Sequence, residues 1–260
     1  MFCSIDIGNS RTTFALFRER DENPFAWESV PTPLQRDSTT WITRMEAALA
    51  SARLNTREKI RSAAIATVVP HVTEFVSRAF KESEGADPLV LSHDMDHGLT
   101  IGYREPTQLG MDRLVNMVAA RKLYGDNVIV IDMGTACTFT LCKDGILEGG
   151  MIIPGLETAR DSLAERGAQL PKIDFEGDIP LVGKSTEEAI ASGLVHGWAS
   201  LADGLIRRVS REGNRDYRVI CTGGMARLVT PRMESEPESN PHLTHRGIAL
   251  FHSRVTGASP

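Results

Sequence analysis

Residues 4–17 read SIDIGNSRTTFALF, and residues 128–141 read VIVIDMGTACTFTL. Each stretch is an apolar run ending in Asp, a Gly two positions on, a few small polar residues and a second apolar run. Strand-like segments flanking a Gly-containing turn read as a β-hairpin. One such turn is ordinary, because Asp and Gly are the commonest turn residues. The same turn at the start of each half predicts an internally duplicated chain whose halves meet near residue 116.

A hairpin of this composition suits a phosphate chain. Gly8 and Gly134 allow close approach of backbone to a ligand. Asn9, Ser10, Thr12 and Thr13 in the first copy, with Thr135 in the second, offer hydroxyls, an amide and N–H donors. Asp6 and Asp132 sit at strand ends, where a carboxylate can hold a cation or its waters against phosphates. Further on, CTGGMA (221–226) places glycines at a strand-to-helix turn, where an adenosine can lie against backbone.

Strands and helices alternate along the rest of the chain, which argues for an α/β fold. Strand patterns fall at FCSIDI (2–7), TFALF (13–17), SAAIATVVP (62–70) and PLVLS (88–92) in the first half. The second half adds NVIVIDM (127–133), CTFTL (137–141), a hairpin over 143–155 and YRVICTGG (217–224). Helical spacing predicts helices from Ser38 to Leu54, 72–81, 111–124, 155–169 and 186–210, and one more near the C-terminus. The stretch ESEPESNPH (234–242) is the most linker-like, but it stands too late and is too short to separate domains.

The bulk composition is that of an ordinary globular protein, with 41% hydrophobic and 24% charged residues over 260 positions. That length accommodates two modest domains or one large one. The net charge of −5 and a pI near 5.8 argue against nucleic-acid binding, which needs a basic patch. Nothing reads as a signal peptide, and no run approaches the roughly 18–20 apolar residues that span a bilayer, so a cytoplasmic protein with no membrane partner is expected. The four cysteines, all in strand-like segments without a CxxC pair, read as buried thiols.

The two hairpins and the glycine turn together resemble the acetate and sugar kinase/heat-shock-ATPase/actin superfamily. That likeness implies two actin-like (ribonuclease H-like) domains, 1–116 and 117–260, each a mixed sheet flanked by helices, with an interdomain ATP cleft. A finer likeness lies in five segments occurring in order: DIGNS from Asp6, YREPTQLGMDR from Tyr103, DMGTA from Asp132, GGMIIPG from Gly149 and GKSTEEAIASG from Gly183. This series resembles the type III pantothenate kinases over nearly the whole chain, Ile5 to about Arg246.

The resemblance implies ATP-dependent phosphorylation of pantothenate, the first step of coenzyme A synthesis, by a homodimer. Carried onto this sequence, it implies that Asp6, Ile7, Gly8, Asn9, Ser10, Arg11, Thr12 and Thr13 bind ATP together with Thr135. Asp112 would be the general base. Tyr103, Gly110, Met111, Asp112 and Arg113 would line the pantothenate site, and Thr186 would reach it, from the partner subunit. Asp132 would hold a monovalent cation, K+ or NH4+, and Mg2+ would accompany the nucleotide. Ser10 replaces the more usual Thr, and Met225 stands where Asp is frequent. A kinase of another small hydroxylated acid or sugar, and a non-catalytic sensor on the same fold, are the alternatives.

Other motifs carry less. SHDMDH (92–97) gathers two His and two Asp without a supporting cluster, so a metal site is not expected there. GKST (183–186) echoes the end of a P-loop, but Asp178 occupies the first Gly position. Ser185 and Thr186 followed by Glu187 and Glu188 read instead as a helix start.

Overall fold

A computed structural model describes residues 1–33, 39–53 and 58–258. The chain divides into two compact units, Met1–Leu123 with His242–Pro260, and Tyr124–Pro241.

The first unit opens with β1 (Phe2–Ile7), β2 (Arg11–Phe17) and β3 (Ala26–Pro31), followed by α1 (Thr39–Ala52), β4 (Ser62–Thr67) and α2 (Pro70–Glu84). Two short strands, β5 (Leu89–Val90) and β6 (Thr100–Ile101), a 3-10 turn at Pro106–Gln108 and α3 (Met111–Tyr124) follow. Its sheet runs in the order β3-β2-β1-β4-β5, antiparallel across the first three strands and parallel from β1 to β5.

The alternation of β1 explains why this strand is buried on both faces. Cys3, Ile5 and Ile7 point one way, into a cluster with Met45 and Leu49 of α1 and Val72, Val76 and Phe80 of α2. Phe2 and Ser4 point the other way and are covered by the last helix of the chain, α7 (Leu243–Thr256). The His252 ring lies 4.7 Å from the Phe2 ring, and His245 Nδ1 lies 2.7 Å from Ser4 Oγ. Burial drives the His245 pKa down from the ordinary 6.5 to about 3, so its ring is neutral at physiological pH.

The second unit repeats the plan with β7 (Val128–Met133), β8 (Ala136–Lys143), β9 (Ile146–Pro154), α4 (Leu156–Arg166), α5 (Thr186–Gly213), β10 (Arg218–Thr222), α6 (Ala226–Val229) and β11 (Glu238–Ser239). Its strands run β9-β8-β7-β10-β11, antiparallel from β9 to β7 and parallel from β7 to β11. Ile129, Ile131 and Met133 of β7 pack with Ile190, Leu194 and Val195 of α5. The strand order and directions match those of the first unit, so the duplication read from the two hairpins extends to both sheets.

Three expectations need correction. The compact units do not divide at residue 116, which lies within the continuous helix α3; α7 also returns to the first unit, because β1 needs a cover on its second face. The stretch 234–242 does carry a boundary between units, and within it β11 pairs with β10. Strand β3 was not expected, because AWESVP at an edge of the sheet is only partly buried and lacks a clear alternation. The expected ends of the first helix, Ser38 and Leu54, lie outside the described residues. All four cysteines are buried, and none of them forms a disulfide.

Candidate active site

In the first unit the hairpin between β1 and β2 places Asp6 directly opposite Thr13, and Ile7 opposite Thr12. The Gly8 N–H donates to the Arg11 carbonyl at 3.0 Å, leaving Asn9 and Ser10 as the exposed tip. Strand β3 and the residue after it brace this tip from the side. Arg11 Nε donates to Ser29 Oγ at 2.7 Å, and its Nη2 donates to the Ser29 carbonyl at 2.8 Å. Thr32 Oγ1 donates to the Gly8 carbonyl at 2.6 Å and lies 3.2 Å from Thr12 Oγ1. Ile7 and Thr12 are buried, so Ile7 has only backbone to offer a ligand.

The GMDR segment sits where the 3-10 turn gives way to α3. The Leu114 N–H donates to the Gly110 carbonyl at 3.1 Å, starting the helix, and Asp112 Oδ1 accepts the Arg113 N–H at 2.8 Å. A side chain at position 110 would occupy the space of the Asp112 carboxylate. Burial pushes the Asp112 carboxyl above the ordinary carboxylate range, against the Arg113 N–H and guanidinium, which pull it down. Arg113 is almost fully buried, with Nη1 donating to Tyr103 Oη at 3.2 Å and its guanidinium 5.6 Å from the Tyr103 ring centre. Met111 is buried.

Val68 joins these two parts. Its N–H donates to the Ile7 carbonyl at 3.1 Å, and its Cγ1 lies 3.7 Å from where a Cβ on Gly110 would be. The ends of β1 and β4 therefore bring the first hairpin and the GMDR turn side by side.

In the second unit Asp132 stands opposite Thr138 across β7 and β8. This hairpin is tighter, with the Gly134 N–H donating to the Ala136 carbonyl at 3.1 Å and Thr135 alone at the tip. The Thr135 carbonyl accepts the Gly155 N–H at 3.0 Å and Thr158 Oγ1 at 2.6 Å. Gly223, at φ +91°, packs so closely that a Cβ there would lie 2.6 Å from both Asp132 Oδ1 and the Met133 nitrogen. The CTGGMA turn thus meets the Asp132 hairpin backbone to backbone, and the Met225 N–H donates to the Met133 carbonyl at 3.1 Å.

Thr186 is exposed at the first position of α5, among capping groups. Ser185 Oγ accepts the Glu188 N–H at 3.1 Å, and Glu188 Oε2 accepts the Lys184 N–H at 2.6 Å. Lys184 and Ser185 of the GKST segment thus take part in capping the start of α5. Among the described residues, no group of three or more His, Cys, Asp or Glu is placed to hold a metal.

Sequence reasoning missed Thr32, Val68, Thr138 and Thr158. Thr138 had a signal: the hairpin register that pairs Asp6 with Thr13 pairs Asp132 with a Thr as well. The others contribute a hydroxyl or one aliphatic contact from neighbouring segments, for which the local pattern carries no signal.

The family model for type III pantothenate kinases matches residues 2–208. A type III pantothenate kinase of Desulfatibacillum aliphaticivorans is 34% identical over 260 residues, covering 99% of this chain and 100% of that one. Another, of Persephonella marina, is 32% identical over 255 residues, covering 97% and 98%. Two solved structures share the fold at low identity. The activator of 2-hydroxyisocaproyl-CoA dehydratase from Clostridium difficile, with bound ADPNP, aligns with a TM-score of 0.55 at 15% identity, over 97% of this chain and 95% of that one. A ROK family glucokinase from Streptomyces griseus, in complex with glucose and AMPPNP, aligns at 0.54 and 13% identity, over 99% and 98%. The chain belongs to the type III pantothenate kinase family, and its two α/β units are of the actin-like kind.

Proposed function

We propose that this member of the type III pantothenate kinase family transfers the γ-phosphoryl group of ATP to the hydroxyl of pantothenate, giving 4'-phosphopantothenate and ADP. The observation that carries the reading is Asp112, a carboxylate raised above its ordinary range by burial and seated over Gly110 beside the Arg113–Tyr103 pair. Phosphoryl transfer asks a protein mainly for positioning and charge stabilisation. The pantothenate hydroxyl oxygen bonds to the γ-phosphorus as the bond from that phosphorus to the β–γ bridging oxygen breaks, and ADP leaves. Asp112 takes the hydroxyl proton. Arg113 faces the pantothenate carboxylate, and Tyr103 orients the guanidinium through its hydroxyl and ring.

The backbone of Gly8 to Thr13 and the tip side chains of Asn9 and Ser10 would serve the phosphates. Thr135 would contact ATP, and the CTGGMA turn would offer the adenosine its backbone at Gly224, where a Cβ would meet nothing within 4 Å, while Gly223 packs against Asp132 and Met133. Asp6, at the end of β1, would hold Mg2+ or its waters, and the metal ion supplies charge neutralisation at the phosphates. Asp132 would hold K+ or NH4+. Thr186 completes the pantothenate site from the partner subunit of a homodimer, consistent with its exposure at the start of α5. A cytoplasmic enzyme fits this reading; among the described residues no helix is long and apolar enough to cross a membrane.

Mass spectrometry of a reaction with ATP, Mg2+ and pantothenate tests the proposal. A pantothenate product heavier by one phosphoryl group, formed faster with K+ or NH4+ than with Na+, is expected. Nucleotide binding without that product would favour a sensor, and phosphorylation of other hydroxylated acids or sugars alone would move the substrate.

A further inference from the structure

The loop Ser92–Gly98, between β5 and β6, holds the histidines and aspartates of the SHDMDH motif, and the proposed chemistry uses none of them. Each is nevertheless tied down. Asp96 Oδ1 accepts from Arg254 Nε of α7 at 2.8 Å and from the Gly98 N–H at 3.1 Å. His97 Nδ1 accepts the Leu99 N–H at 3.1 Å, and the ring stands edge-on to Phe251 with centres 5.9 Å apart. Ser92 Oγ donates to Asp94. His93 alone reaches out of the loop toward the site: its Nε2 lies 2.7 Å from the Leu109 carbonyl oxygen.

A carbonyl can only accept, so His93 Nε2 carries the proton and donates. Leu109 is buried, and its N–H is already committed to the Pro106 carbonyl at 3.2 Å. The next residue is Gly110, whose carbonyl starts α3 and over which the Asp112 carboxylate lies. Releasing the Leu109 carbonyl frees the peptide plane between Leu109 and Gly110 to rotate, and Gly110 is the residue least able to resist that rotation. We infer that His93 is a positioning residue for Asp112, acting through the Leu109 carbonyl to fix the Gly110 peptide and hence the carboxylate. The inference rests on the reading of Asp112 as the base, and extends it to a loop that reaches α7 through Asp96 and Arg254.

Four variants assayed together for pantothenate-dependent ADP release, with melting temperatures measured alongside, test this. His93→Ala should lower kcat about tenfold while leaving KM for ATP within about twofold, since small displacements of a catalytic group cost rate steeply. His93→Gln, whose amide N–H can still donate to the carbonyl, should recover to within about threefold of the parent. His97→Ala loosens the same loop without touching Leu109, so it should lower the melting temperature and keep kcat within about twofold. Asp112→Asn should be inactive. His93→Ala with the parent's kcat, or His93→Gln falling as far as His93→Ala, or His97→Ala slowing turnover as much as His93→Ala, would overturn the positioning role with the base assignment intact. An active Asp112→Asn would overturn the base assignment, and the His93 inference with it.

Discussion

The two hairpins share a plan and differ in what holds them. Around the first, side chains do the work: Arg11 to Ser29, Thr32 to the Gly8 carbonyl, and the Asp112 carboxylate lying over Gly110. Around the second, backbone meets backbone, with the Thr158 hydroxyl and the Asp132 carboxylate beside it: Gly155 against the Thr135 carbonyl, and Gly223 against Met133. The tips follow suit, with Asn9 and Ser10 at the first and Thr135 alone at the second. A side chain can rotate away from an intruding methyl group, whereas a backbone carbonyl moves only with its strand. The first unit should therefore lose function while keeping its fold, and the second should lose both together.

The sharpest test is Gly155→Ala. Its new Cβ would overlap the Gly134 carbonyl and come within 2.7 Å of the Thr135 carbonyl. A loss of at least about 3 kcal/mol is expected, beyond the usual cost of overpacking because the obstacle is backbone. At ~2–4 °C per kcal/mol for a chain of this size, the melting temperature should fall by about 10 °C. Gly223→Ala adds a strained positive φ to the same kind of collision and should behave alike.

Gly110→Ala should give the opposite signature. Its obstacle is the end of the Asp112 side chain, so turnover should drop by roughly a hundredfold as the proposed base is pushed aside. Calorimetry should find the melting temperature within about 3 °C of the parent. Equal thermal losses at Gly110 and Gly155 would break the contrast.

A smaller effect is expected at Thr32→Val, which removes the hydroxyl bonded to the Gly8 carbonyl. The loss should be about 1 kcal/mol in stability, with a several-fold rise in KM for ATP.

The units should also part on acidification. Six of the seven histidines lie in the first unit, and burial lowers the pKa values of His97, His242, His245 and His252. A depressed histidine is neutral in the folded state, while the unfolded chain takes up its proton below about 6.5. Their contribution to stability is complete above that pH and drains away as pH falls below 6.5, most of all for the fully buried His245, whose share is lost between about 6.5 and 3. Hydrogen exchange at pH 5.5 against pH 7.5 should show α7 and β1 opening before β7 and α5. Substituting His245 by Asn should flatten the difference.

The plan of each unit was legible in the sequence because it is local. An apolar run, Asp, Gly and a second apolar run fix a hairpin within fourteen or so residues, and its repetition gave the duplication. The placement of Asp112 and Arg113 together at a helix start was legible for the same reason. What stayed hidden was long-range. Nothing near residue 245 says that its histidine will lie on Ser4, and nothing near 116 says that α3 continues unbroken while the return to the first unit waits for residue 242. The roles of Thr32, Val68 and His93 likewise appear only when distant segments are brought side by side.

The most direct test of the account is pantothenate-dependent ADP release by the parent protein and by Asp112→Asn, followed across pH. The parent should turn over only with pantothenate present, with its acid limb above the ordinary carboxylate range because burial raises Asp112. Asp112→Asn should lose at least about a hundredfold in kcat while still binding ATP, the scale of a lost general base. An Asp112→Asn protein that turns pantothenate over at a rate near the parent's would contradict the account.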